Sequence, residues 1–201
     1  MLVEPAVKRA IVFIDGQNLF YGAKDAFGHL TPNYNIKALA ETVCVNQAFS
    51  LTSIRFYTGV PDATDNPKLS QFWAAKLLKM SRQGVIVYSR SLKYRNKTVK
   101  LSNGSTHSFL SASEKGVDIR IALDVIRLAI QKEYDVALIF SQDQDFSEVA
   151  SEVRLIAKDQ GRWIKIASAF PSSPTTRNRR GIDKTDWIKI DRTTYDSCLD
   201  T

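Results

Sequence analysis

The chain has 201 residues, of which 44% are hydrophobic and 24% charged, with nine Gly and six Pro. That length and apolar content suit one globular domain with a sizeable core, and exclude a disordered or fibrous chain. Twenty-eight Lys and Arg against 21 Asp and Glu leave a net charge of +7, which favours a polyanionic partner without requiring one.

Other classes fall on residue counts. Cys44 and Cys198 lie far apart with no CxxC, and the histidines are only His29 and His107. A disulfide framework and a structural zinc site are therefore not expected. Apolar runs such as Ala10 to Ile14 are far too short to span a membrane. The N-terminal stretch lacks the apolar region of a signal peptide, so a cytoplasmic protein with no membrane partner is expected.

In chain order, Ala10 to Ile14 predicts a buried strand that ends in Asp15-Gly16-Gln17-Asn18. Ile36, Leu39, Ala40, Val43 and Cys44 mark one face of a helix with Asn35 as its N-cap. A second strand is predicted over Ser53 to Tyr57. Leu69, Phe72, Trp73, Leu77 and Met80 mark a helix that starts at Asn66-Pro67 and stops at Gly84. Val85 to Tyr88 reads as a third strand, and the polar stretch Lys93 to Phe109 as a hairpin or excursion around Asn96 and Asn103-Gly104. A long helix over about Glu114 to Lys132 carries Ala122, Val125, Ile126, Ala129 and Ile130 on its apolar face. Strand Val136 to Phe140 follows, then a helix with Val149, Ala150, Val153, Ile156 and Ala157, then strand Trp163 to Ala167. Pro171 to Arg180 reads as a basic loop and Trp187 to Ile190 as an edge strand. Continuous apolar strands alternating with helices predict a Rossmann-like three-layer α/β/α sandwich with a mainly parallel sheet. Residues 1–201 form one domain, with a core over about 8–168 and a basic loop and closing segment over 169–201.

In such folds ligands bind beyond the carboxyl ends of the strands. Asp15 stands at one such end, and Asp143 and Asp145 stand beyond another, in Ser141-Gln-Asp-Gln-Asp-Phe146. Asp118, four residues before Ala122 and seven before Val125, continues the apolar face of its helix. A carboxylate there is costly to bury unless paired or metal-bound. Asp124 lies off that face and reads as a surface or salt-bridging residue. Each aspartate also has a structural reading, as an N-cap or a helix-dipole partner. Together, four carboxylates without His or Cys form a hard oxygen site suited to Mg²⁺ or Mn²⁺. The chemistry that fits is metal-assisted phosphodiester hydrolysis. Asn18 is placed either to position a phosphate or to serve as a turn residue. Ser141 either supports Asp143 and a phosphate or satisfies backbone groups. Glu114, one helical turn before Asp118, is an outer supporting residue or a helix-end stabiliser.

Val12-Phe-Ile-Asp15-Gly-Gln-Asn18, Lys115-Gly-Val-Asp118 leading into Leu123-Asp124, and Ser141-Gln-Asp143-Gln-Asp145-Phe146 together resemble the NYN domain, in its LabA-like branch of the PIN-like nuclease superfamily. The order and contexts match over about residues 8–168, and Asn178 to Trp187 resembles the closing segment of bacterial members. The resemblance implies a PIN-like fold and an Mg²⁺- or Mn²⁺-dependent ribonuclease site. Asp15, Asp118, Asp143 and Asp145 match its acidic positions, and Asn18 matches its Asn. The family commonly has Gly where Gln142 stands, and a side chain there is expected to narrow the approach to the metal. Several branches have regulatory roles, so a non-catalytic RNA-binding or regulatory module on the same fold is the alternative.

The positive charge is segregated. Between Asn66 and Ser113 there are nine Lys or Arg and no acid, and from Arg162 to Lys184 six Lys or Arg face one acid. These segments carry +9 and +5, which leaves −7 on the rest of the chain. A nucleic-acid surface around an acidic site requires this separation. Arg90, Lys93, Arg95, Lys97, Lys100, Lys115, Arg177, Arg179 and Arg180 are the candidate RNA contacts, and Tyr94 a candidate base-stacking platform. Trp73 and Tyr88 read as core residues. RNA is the expected partner; a homodimer is compatible with the chain, although no residue argues for it. A phosphatase or nucleotide-binding enzyme ranks low for want of a glycine-rich phosphate loop.

Overall fold

The computed structural model describes residues 3–100, 104–113 and 115–200, with the side chains of all of these except 93–97 and 109–113. Six parallel strands form the main sheet in the order β3-β2-β1-β6-β7-β8. They are β1 (Arg9–Asp15), β2 (Ser50–Val60), β3 (Ile86–Ser91), β6 (Val136–Phe140), β7 (Lys165–Pro171) and β8 (Asp186–Ile190). The long helices are α1 (Gly16–Phe27), α2 (Ile36–Asn46), α3 (Pro67–Arg82), α4 (Val117–Ile130) and α5 (Phe146–Asp159), and a short α6 (Arg192–Asp196) follows β8. The α/β sandwich read from the strand–helix alternation is therefore the observed fold.

Alternation along the strands divides the core. Ala10, Val12 and Ile14 of β1 face α1, α2 and α3, whereas Ile11 and Phe13 face α4 and α5. The β6 run Val136 to Phe140 is buried at every residue, as a strand covered on both faces must be. From β1 the chain winds outward to β2 and β3, and from β6 outward to β7 and β8. The direction thus reverses between the adjacent strands β1 and β6, and a crevice opens beyond their carboxyl ends.

The segment between β3 and α4 is an antiparallel hairpin of β4 (Lys93–Lys100) and β5 (Thr106–Ser113), with Lys100 paired to Thr106. The hairpin read around residues 93–109 is thus present, but Asn96 lies within β4, opposite Leu110, rather than at a turn. Asn66 caps α3 by accepting from the Leu69 N–H, and Pro67 fills its first turn. The edge strand expected at Trp187 to Ile190 is β8. Among the described residues no helix is long and apolar enough to cross a membrane, and both cysteines are free and buried.

Two helices depart from expectation. α1 starts directly after Asp15, over a stretch to which the apolar spacing assigns no element. Its apolar residues Leu19, Ala23, Ala26 and Phe27 keep helical spacing, but Gly16 and Gly22 interrupt the propensity. α4 buries Val117, Ile121, Asp124, Val125, Leu128 and Ala129, a face turned by about one residue from the one expected. Ile119, Leu123 and Ile130 are exposed instead. With Ile and Leu all round the helix, apolar spacing alone does not choose the inner face.

Candidate active site

Asp15 ends β1 and caps α1: its Oδ1 accepts from the Asn18 N–H at 3.0 Å. Its Oδ2 accepts from the Ser141 hydroxyl at 3.3 Å, and the Ser141 Oγ accepts in turn from the Asp143 N–H at 3.2 Å. Ser141 is 1% exposed and joins the Asp15 carboxylate to the Asp143 main chain. Asn18 works in parallel, since its Oδ1 accepts from the Gln142 N–H at 2.9 Å. The first turn of α1 and the loop after β6 are therefore locked together by two side chains. Packing adds to this fit: a Cβ on Gly16 would fall 2.5 Å from the buried Phe56 ring and 3.0 Å from the Tyr57 carbonyl oxygen.

A cleft of about 530 Å³ opens over this junction, lined by Asp15, Gln17, Asn18, Tyr21, Lys115, Gly116, Asp118, Ile119 and Asp143. Asp118 lies in the first turn of α4 and is exposed. The inference that it occupies the core-facing stripe is corrected by the rotation of α4, while its place in the cleft stands. Gly116 has a left-handed φ of 74°, and a Cβ there would lie 2.7 Å from the Arg90 guanidinium, which also contacts the Lys115 carbonyl at 3.4 Å. The left-handed φ favours glycine, and the flexible Arg90 side chain closes over it.

Asp15 is the electrostatic centre of the cleft. Burial pushes its carboxyl up to about 6, opposed by the bonds from Asn18 and Ser141 and reinforced by the charge of Asp143. Among the described residues no ion pair reaches Asp15, Asp118 or Asp143. Nor, among those residues, do three or more His, Cys, Asp or Glu stand together as one ion-holding group. Asp15 is linked to the Asp143 main chain through Ser141, Asp118 lines the same cleft, and Asp145 is not among the residues that line it. Asp145 is exposed at the start of α5 and makes no side-chain capping bond. A pair of carboxylates still fits Mg²⁺, which keeps several waters and is commonly held by one or two carboxylates with a substrate phosphate.

The comparisons identify the family. The NYN domain profile matches residues 9–179, most of the chain and all of the cleft. The chain belongs to the NYN domain family. The comparison with curated proteins gave no match. A crystal structure of a protein of unknown function, VPA0982 from Vibrio parahaemolyticus, is 18% identical with a TM-score of 0.53, covering 95% of this chain and 98% of that one; it supports the fold. A ribokinase from Giardia lamblia reaches a TM-score of only 0.39 at 10% identity, over 86% of this chain and 53% of its own, a likeness that carries no argument.

Within this NYN domain, Gln142 does not obstruct the cleft as expected. Its side chain is buried and donates to the carbonyls of Asn178 and Arg180, at 3.0 and 2.8 Å. Gln144 donates to the Gly181 carbonyl and accepts from the Asp183 N–H. In Ser141-Gln-Asp-Gln-Asp the glutamines thus pin the C-terminal segment while Asp143 faces the cleft. That alternation is visible in the sequence but was not read as two functions.

Of the expected RNA contacts, Lys115 lines the cleft and Arg90 braces the turn that carries it. Arg90 also bonds the Tyr88 hydroxyl at 2.6 Å, and Tyr88, half-buried, packs against the core on the α4–α5 side. Arg179 donates to the carbonyls of Thr176 and Pro174, and Arg180 makes a bidentate pair with Asp183. Arg177 lies beside Asp25, with its side chain exposed, and Lys100 is exposed; none of these four lines the cleft. The side chains of Lys93, Tyr94, Arg95 and Lys97, and all of Glu114, lie outside the described residues.

Asp124 is the residue that the sequence reading most underrated. It is buried, accepting from the Tyr57 hydroxyl at 2.9 Å, Arg120 at 3.1 Å and Arg127 at 2.9 Å, with Arg55 at 3.7 Å. The salt-bridging half of its expected role holds, and the surface half does not. Arg120 and Arg127, four residues before and three after, were the available signal.

Proposed function

We propose that this NYN domain is a metal-dependent ribonuclease that hydrolyses RNA phosphodiester bonds in the cleft over β1 and β6. The observation that carries the reading is the buried Asp15 carboxylate, linked to the Asp143 main chain through Ser141, with no ion pair reaching it among the described residues. Asp15 and Asp143, with Asp118 in the same cleft, would hold Mg²⁺ or Mn²⁺. When bound, the ion supplies activation of water and neutralises charge growing on the phosphate. The chain's own residues orient and attract: Ser141 and Asn18 fix the two carboxylate-bearing segments, and Lys115 offers a cation to the RNA backbone. Asp145 then acts from outside the cleft, at the start of α5, and is not a direct ligand in this reading. The nuclease character of the NYN family and its divalent metal dependence agree with the donor set.

Asp143→Asn should abolish Mg²⁺- or Mn²⁺-dependent cleavage of RNA while thermal unfolding stays close to that of the wild type. Full metal-dependent activity in that variant would falsify the assignment. The absence of a three-ligand group among the described residues favours a second reading, an RNA-binding regulatory module. It predicts salt-sensitive RNA binding by the wild type with no strand scission at any concentration of either metal.

A further inference from the structure

A second cavity, of about 400 Å³, lies beside the acidic cleft and shares Gln17 and Tyr21 with it as a common wall. It sits beyond the carboxyl ends of β1 and β2 and is bounded by Phe20, Leu69, Phe72, Trp73 and Leu92 among others. Its volume falls within the range of small-ligand pockets, roughly 300–1,000 Å³. The rings have opposite characters. Trp73 is 9% exposed and stacked on Phe56, a rigid floor, whereas Phe72 at 42% and Tyr21 at 58% stand open to solvent. Leu30 and Leu69 are exposed at the same mouth. So many large apolar side chains around one concavity mark a binding surface rather than scattered surface residues.

We propose that this pocket receives one unpaired nucleobase of the RNA, next to the phosphate held in the acidic cleft. The inference rests on the nuclease reading for what enters the cleft and adds what selects it. The shared wall decides between occupants. A ligand that spans the shared wall places one group in the pocket and another in the cleft, and a base is joined to its phosphate through one sugar. Aromatic walls bind any base through its faces, and the Gln17 amide and Thr31 hydroxyl on the rim offer donors and acceptors to its edge. A paired base stays in its stack and presents no free face. The pocket therefore makes the domain selective for single-stranded or bulged RNA.

The test is read by binding without metal, so it does not depend on cleavage. A fluorescent single-stranded oligoribonucleotide of about 12 nucleotides, near the usual footprint of such sites, is titrated in EDTA with the wild type, Phe72→Ala and Leu69→Ala. Thermal unfolding checks that both variants remain folded. Phe72→Ala should weaken binding about five-fold or more, the loss of one stacked base. An oligonucleotide with abasic sites scanned along its length should bind the wild type more weakly at one position, and Phe72→Ala should cause no further loss there. The same sequence as a duplex should bind less tightly than the single strand. Wild-type affinity in Phe72→Ala, equal affinity for the duplex, indifference to every abasic site, or no RNA binding at all would each overturn the proposal. So would a wild-type dimer in sedimentation that Phe72→Ala converts to monomer, because the pocket would then hold a second copy of the chain. Binding that behaves as expected but without cleavage once Mg²⁺ or Mn²⁺ is added would remove the nuclease reading alone.

Discussion

Asp15 and Asp124 are both carboxylates in the interior, 9% and 3% exposed, and their surroundings are opposite. Asp124 is enclosed by Arg55, Arg120, Arg127 and the Tyr57 hydroxyl, so its charge is matched where it sits. Burial and the neighbouring Asp124 carboxylate hold the Tyr57 hydroxyl well above its usual range, so it remains a donor. Among the described residues Asp15 accepts from the neutral Asn18 N–H and Ser141 hydroxyl, and burial raises its carboxyl to about 6. A buried charge that its own chain satisfies is structural. One left unmatched at a strand end, facing a cleft, is maintained at a cost to stability, which is how functional carboxylates are commonly recognised.

The contrast breaks most visibly at Asp124. Asp124→Ala leaves several arginines and a phenol crowded in one place without their anion. Removing one partner of a fully buried pair costs about 3–5 kcal/mol. Arg120 and Arg127 reach solvent, with side chains 39% and 53% exposed, so a loss of about 2–4 kcal/mol is expected here. Urea unfolding measures it, and a loss below about 1 kcal/mol would show the network to be ornamental on the scale of ordinary point changes.

Asp15→Asn should have the opposite sign and a smaller size. The amide keeps an acceptor for the Asn18 N–H and discards the charge. Because the folded-state value, about 6, lies above the ordinary 3.8, the native state binds the proton more tightly than the unfolded chain. The penalty is fully present above about pH 6 and disappears as the pH falls towards 4; it amounts to about 3 kcal/mol at most. Asp15→Asn should therefore melt about 2–10 °C higher than the wild type at pH 8, with the gap closing at pH 4. Saturating Mg²⁺ or Mn²⁺ should raise the wild-type melting temperature and leave that of the variant unmoved. A variant less stable than the wild type at pH 8 would erase the distinction between the two carboxylates.

How much of this could be read in advance depended on what each residue's neighbours were. The buried strands were legible because apolar runs such as Val136 to Phe140 have no polar face to confuse them, and α3 because Asn66-Pro67 and Gly84 punctuate it. Asp15 and Asp143 were legible as strand-end carboxylates, since strand ends set the rim of a parallel sheet. The inner face of α4 was not, because apolar residues on every side leave the periodicity degenerate. Asp118 and Asp124 were consequently given each other's burial. The pocket beside the cleft was not legible either. Its wall joins residues from α1, β2 and α3, and Phe72 and Trp73, adjacent on α3, differ in role only because Phe56 covers one of them. Gln142 was misjudged for a related reason: a side chain next to a site in sequence can point along the chain's return path.

The smallest effect isolates the variable that the first two confound. Asp183 is paired, bidentately, with Arg180, yet the side chains are 45% and 65% exposed. It has a partner, as Asp124 does, but lacks the burial of either Asp124 or Asp15. Exposed pairs contribute about 0–1 kcal/mol, because water already solvates both charges and ordering two side chains costs entropy. Arg180→Ala should shift the unfolding free energy by less than about 1 kcal/mol. The bond from the Gln142 side-chain amide to the Arg180 main-chain carbonyl does not depend on the Arg180 side chain and should persist. Salt separates the remaining possibilities. Raising ionic strength screens the exposed Arg180–Asp183 pair and should leave the Asp124 cluster largely intact, so any small deficit of Arg180→Ala should vanish in high salt while that of Asp124→Ala remains. If the Arg180 deficit matched that of Asp124, pairing alone would account for both, and the unmatched state of Asp15 would lose its meaning as a mark of function.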